Sequence, residues 1–144
     1  MQRDEKRVLV VDDDEAIRTL LLTILRRHGM VVDTAKNGAE ALQKLGQCWY
    51  AIMLLDLMMP VLSGWEVLRK LATFEAKRRP LVIVLTAGSE SRGCSPDLVI
   101  GSIRKPFDVE LLDDMVVGCI ATISQREQLA DCPPAESDQK GQSS

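Results

Sequence analysis

The sequence predicts an α/β protein built on a doubly wound sheet of five parallel strands. Two observations lead there. Short apolar runs alternate along the chain with stretches of helical periodicity, and acidic, hydroxyl and lysine residues stand at the downstream ends of those runs. Val8–Val11, Met30–Thr34, Ala51–Leu55, Leu81–Leu85 and Leu98–Ile103 read as the strands. Three of them are nearly continuous in Val, Ile and Leu, as expected where helices cover both faces of a parallel sheet.

The helices follow in order. The first places Ile17, Leu20, Leu21, Ile24 and Leu25 on one face, with Asp14 as N-cap and Gly29 as its stop. His28, near its end, is expected to complement the helix dipole. A second helix runs from about Asn37 to Leu45 and ends at Gly46. The third opens with Ser63-Gly64-Trp65-Glu66, which fits a capping box. The last carries Leu111, Leu112, Met115, Val116, Cys119, Ile120 and Ile123 after Asp108. Between Thr86 and Ile100, Gly93 and Pro96 interrupt the helix due there, the fourth, so it is expected to be short or irregular. Trp49 and Trp65 are expected to pack on the helix layer.

At 144 residues the chain suits one domain. The sequence places a folded unit over 1–124 and a polar, disordered tail or linker over 125–144, where periodicity fades and Pro133-Pro134 intervene. A net charge of −3 speaks against direct nucleic-acid binding, because phosphate contacts need a basic footprint. No run approaches a membrane span, and the charged start reads as no targeting peptide, so a cytoplasmic location is expected. Cys48, Cys94, Cys119 and Cys132 are scattered, without the spacing of a zinc site or a disulfide framework.

In an open parallel sheet, ligands bind beyond the carboxyl ends of the strands, near the point where strand order reverses. Strand one ends in Asp12-Asp13, strand three in Asp56, strand four in Thr86 and strand five in Lys105-Pro106. Carboxylates gathered this closely repel one another and cost stability unless a cation neutralises them. Oxygen-only donors favour a hard ion such as Mg²⁺. Such an ion would screen a carboxylate nucleophile from an incoming phosphoryl group, and a lysine would give that group a second positive contact.

These motifs resemble the response-regulator receivers of bacterial two-component systems, the CheY-like family. Val8-Leu9-Val10-Val11-Asp12-Asp13-Asp14 is similar to the receiver opening. Asp56-Leu57-Met58-Met59-Pro60-Val61-Leu62-Ser63-Gly64 resembles the phosphorylation strand and its loop. Thr86-Ala87 and Lys105-Pro106-Phe107 complete the set. The resemblance spans Lys6 to about Ser124 and implies a flavodoxin-like (βα)5 receiver fold.

It also implies roles. Asp56 is the phosphoacceptor, served by a phosphohistidine on a sensor histidine kinase. The metal set for Mg²⁺ comprises Asp13 and Asp56 directly, Asp12 through its charge or a bridging water, and the backbone carbonyl of Met58. Thr86 and Lys105 take phosphoryl oxygens after transfer, and the Lys105–Pro106 bond is expected to be cis. The only reaction catalysed would be the chain's own phosphorylation and dephosphorylation. Signalling would run through contacts with a downstream protein target, without a membrane. A phosphorylation-dependent homodimer is left open.

Two departures from the family pattern stand out. Ser102 occupies the strand-five position where the family usually carries an aromatic residue, and the stretch from Thr86 to Lys105 is slightly short. They suggest that the signal is read through ordering of Gly88–Ile100 instead. The competing readings are a pseudo-receiver scaffold that works without phosphorylation and an aspartate-nucleophile phosphatase. The second would need another acid two residues after Asp56, where Met58 stands.

Overall fold

The computed structural model describes residues 7–59, 61–87, 98–105 and 109–131, with backbone alone at 77 and 123–131. Five strands form one sheet: β1 (Arg7–Val11), β2 (Val31–Ala35), β3 (Ile52–Asp56), β4 (Leu81–Thr86) and β5 (Val99–Arg104). Their order is β2-β1-β3-β4-β5, and every pairing is parallel. The order reverses between β1 and β3, so the crevice that a doubly wound sheet offers to ligands opens at their carboxyl ends.

The helices are α1 (Glu15–Arg27), α2 (Gly38–Gln47), α3 (Gly64–Leu71) and α4 (Val109–Asp131). Alternation along the central strands feeds two separate cores. Val8, Val10, Leu54, Ile83 and Leu85 meet Leu21, Ile24 and Leu25 of α1 and Leu112 and Val116 of α4. Leu9, Val11, Met53, Leu55 and Val84 meet Ala41 and Leu45 of α2 and Val67, Leu68 and Leu71 of α3. Each such aliphatic side chain contributes about 1.5–3 kcal/mol on burial, so β1, β3 and β4 form the rigid part of the molecule. Trp49 joins the first core and Trp65 lies against the second.

The starts of α1 and α3 match the caps read from sequence. Asp14 accepts N–H groups from Ala16 and Ile17, and Ser63 and Glu66 close a capping box; Asn37, expected as the first residue of α2, is instead its cap and accepts from Glu40. Gly29 adopts φ +78°, the left-handed conformation that ends α1. His28 caps that helix and also lies 3.2 Å from Asp113 of α4.

Some boundaries differ. β2, β3 and β5 each begin one residue later than expected, and β3, β4 and β5 keep their last polar residue inside the ladder. Gly46 does not stop α2, because its backbone keeps out of the left-handed conformation and the helix runs on to Gln47. α4 continues past Ser124 to Asp131, where a folded unit ending at 124 and a disordered start to the tail were expected. The irregular fourth helix, the Lys105–Pro106 bond and residues 132–144 lie outside the described residues, as do Cys94 and Cys132. Cys48 and Cys119 are free thiols. No helix among the described residues is long and apolar enough to cross a membrane.

Candidate functional site

The register of the central strands builds the site. Val11 pairs with Leu55, so the next residues, Asp12 and Asp56, emerge side by side from the switch point. Each then closes the same local turn. The Asp14 N–H donates to Asp12 Oδ1 at 2.9 Å, and the Met58 N–H donates to Asp56 Oδ1 at 3.0 Å. An Asp that accepts the amide two residues on mimics a backbone turn, which is why the acid stands where each strand stops.

One oxygen of each acid is left over, and both leftover oxygens point at one lysine. Lys105 Nζ lies 2.8 Å from Asp12 Oδ2 and 3.2 Å from Asp56 Oδ2. The lysine is held there by its own backbone, since its N–H donates to the Thr86 carbonyl at 2.7 Å. Asp12, Asp56 and Thr86 are the buried polar residues among those described. Asp13 is exposed at the rim, and its carboxylate lies within 4.8 Å of those of Asp12 and Asp56.

The electrostatics follow from burial. Desolvation pushes the Asp56 carboxyl up to about 6; the Met58 N–H pulls it down, the Asp12 charge adds to the rise, and Lys105 opposes it. Burial works against the Lys105 ammonium as well, but the Asp12 and Asp56 carboxylates outweigh it and raise its pKa. Among the described residues, Asp12 Oδ2 is fully buried and receives no aligned hydrogen bond; the Lys105 ammonium meets it as an ion pair at 2.8 Å. Among the described residues, three carboxylates face one ammonium, and one buried oxygen has no aligned donor. This donor set fits a hard divalent cation such as Mg²⁺.

Close backbone approaches fix the loop below the acids. The Gly64 N–H donates to the Leu57 carbonyl at 3.1 Å, and a Cβ on Gly64 would stand 2.4 Å from the Asp56 carbonyl oxygen. From the other side, the Gly38 N–H donates to the Leu62 carbonyl at 3.0 Å. Between these anchors Val61 adopts φ 70°, a costly conformation for a β-branched residue, and stands almost fully in solvent.

All the residues singled out in the sequence, Asp12, Asp13, Asp56, Met58, Thr86 and Lys105, gather at this edge. Met58 reaches it through its backbone, and its side chain is exposed. Sequence reasoning passed over Arg18, whose Nη1 donates to the Asp12 carbonyl at 2.7 Å. The available signal was a charged residue in the second turn of α1, on the flank of its apolar stripe.

The model for the response regulator receiver domain matches residues 8–117. The chain belongs to this family. Receiver-containing relatives include the transcriptional regulatory protein CpxR homolog of Haemophilus influenzae, 42% identical over 110 residues, covering 74% of this chain and 47% of the relative. The transcriptional regulatory protein ResD of Bacillus subtilis is 41% identical over 90 residues, covering 62% of this chain and 37% of ResD. This chain thus spans less than half the length of either.

Among solved structures, the response regulator TrrA of Thermotoga maritima, in complex with Mg²⁺–BeF, is 37% identical with a TM-score of 0.69. The match covers 79% of this chain and 98% of TrrA. A CheY-like receiver from Methanospirillum hungatei, 25% identical, gives a TM-score of 0.72 over 85% of this chain and 99% of its own. The protein is therefore a response-regulator receiver of the two-component type.

Proposed function

We propose that this receiver takes a phosphoryl group from the phosphohistidine of a sensor histidine kinase onto Asp56, with Mg²⁺ held by Asp13, Asp56 and the Met58 carbonyl. The observation that carries the proposal is the convergence of the two leftover acid oxygens on Lys105, with Asp13 beside them. An Asp56 oxygen forms the new P–O bond as the donor's P–N bond breaks. The bond's electron pair leaves with the imidazole, which takes its proton from solvent. The Mg²⁺, when bound, supplies positive charge that offsets the carboxylates and the phosphoryl oxygens.

The chain's own groups do the rest. The Met58 N–H holds one Asp56 oxygen, which orients the nucleophile. Lys105 exchanges its contact with Asp56 Oδ2 for a phosphoryl oxygen, and Thr86 binds another through its hydroxyl. The Asp56 carboxyl, raised to about 6, still ionises below neutral pH and is a competent nucleophile in the cell. Asp12 works through its charge, and its unaligned Oδ2 suits a water bound to the ion.

Such a module catalyses only its own phosphorylation and dephosphorylation, in the cytoplasm where kinase domains present their histidines. The acidic net charge favours output through a protein target over direct nucleic-acid contact by this domain. The receiver unit extends through α4, and a phosphorylation-dependent homodimer is one form the output could take. Nuclear magnetic resonance with beryllofluoride and MgCl₂ tests the reading. Saturable shifts of the Asp13, Asp56, Thr86 and Lys105 amides are expected. A spectrum unchanged by both reagents would favour a pseudo-receiver that works without phosphorylation.

A further inference from the structure

We infer that Arg18 is the positioning residue of the cation site, acting through the peptide plane that joins Asp12 to Asp13. The inference rests on the Mg²⁺ reading above and goes beyond it, to a residue on a different element. β1 stops at Val11, and Asp12 then leaves the ladder with three of its four polar atoms engaged by other groups. Its N–H donates to the Ala35 carbonyl at 3.1 Å, Oδ1 accepts from Asp14, and Oδ2 faces Lys105. The carbonyl remains, and Arg18 Nη1 reaches back from the second turn of α1 to donate to it at 2.7 Å.

That carbonyl belongs to the same rigid plane as the Asp13 amide. Holding it fixes ψ of Asp12 and φ of Asp13 together, and so sets where the Asp13 carboxylate projects at the rim. Asp13 itself is exposed, so its aim depends on its backbone. Groups that orient metal ligands typically change affinity by about 10–100-fold when removed.

A charge effect and a positioning effect have opposite signs here. If Arg18 mattered only as a nearby cation, removing it would relieve repulsion and tighten Mg²⁺ binding. If it positions the Asp12–Asp13 plane, removing it weakens binding. MgCl₂ titrations followed by the Asp13 and Asp14 amide resonances of the wild type, Arg18→Ala and Arg18→Lys decide between them, with urea midpoints recorded alongside. We expect Arg18→Ala to lose about tenfold in Mg²⁺ affinity while remaining folded, and Arg18→Lys to recover part of that loss.

Unchanged or tighter binding by Arg18→Ala would overturn the inference, whatever its stability. A wild type that fails to bind Mg²⁺ would overturn the site reading and this inference together. If wild-type binding is intact and only the urea midpoint moves, this inference alone falls.

Discussion

The sheet carries a polar cluster at each end, and they solve the problem of charge in a hydrophobic fold differently. Near the amino-terminal end, Asp33 Oδ2 accepts the Tyr50 hydroxyl at 2.7 Å and Arg7 at 3.1 Å. Among the described residues, one acid meets one cation and one neutral donor, and burial together with Asp33 holds the Tyr50 phenol in its protonated form. At the carboxyl end, among the described residues, three carboxylates face one ammonium and a buried oxygen lacks an aligned donor. A balanced cluster stabilises, whereas an unbalanced one costs stability until something binds. The imbalance marks the working end of the molecule.

The comparison can be broken most forcefully at the backbone. Gly64→Ala puts a Cβ against the Asp56 carbonyl and the Leu57 Cα, atoms that cannot yield without moving the loop after β3. A cost of about 3 kcal/mol is expected, read from urea denaturation. A loss below 1 kcal/mol would mean the loop adjusts freely and is not held where the site needs it.

The pH dependence sharpens the contrast next. A free Asp titrates near 3.9, and burial raises Asp56 to about 6. Between those values the folded state holds more protons than the unfolded one, so this group's stabilising contribution is complete below about pH 4 and is lost as pH rises through about 6. In EDTA, Asp56→Asn should therefore be more stable than the wild type at pH 7.5 by about 2 kcal/mol. That advantage should fade as the pH falls through about 6 and be gone by about 4. An equal difference at both pH values would contradict the raised pKa.

The closed cluster should respond otherwise. Tyr50→Phe removes a donor from Asp33 and should cost about 1 kcal/mol, by the same amount with and without Mg²⁺. A Mg²⁺-dependent cost would tie the two ends together and dissolve the distinction. The smallest effect is expected at Val61, where Asn tolerates the left-handed backbone better. Val61→Asn should raise the thermal midpoint, worth about 0.5–1 kcal/mol; a fall would show that the valine side chain contributes packing.

Much of this was legible in the sequence because it is local. The caps at Asp14 and Ser63 depend on side chains two or three residues from the amides they bind, so the motif carries the geometry. The apolar runs of β1, β3 and β4 read correctly because both faces are covered. The acids at the strand ends read as a site because burial makes them costly.

What was missed depends on packing between elements. The bulge that leaves Ile100 unpaired between Val99 and Gly101 is set by how β5 meets β4. Arg18 gave no motif, since its partner is a carbonyl of a residue six positions earlier. The Arg7–Asp33–Tyr50 cluster likewise joins β1, β2 and the residues leading into β3, which only the sheet order brings together.

The central claim is that the unbalanced end makes Asp56 a phosphoacceptor that needs a divalent cation. Intact-mass analysis after incubation with acetyl phosphate tests it most directly. One added phosphoryl group is expected on the wild type with Mg²⁺, and none in EDTA or on Asp56→Asn. An adduct that survives the substitution would contradict the assignment of Asp56, and one that forms equally in EDTA would contradict the role of the cation.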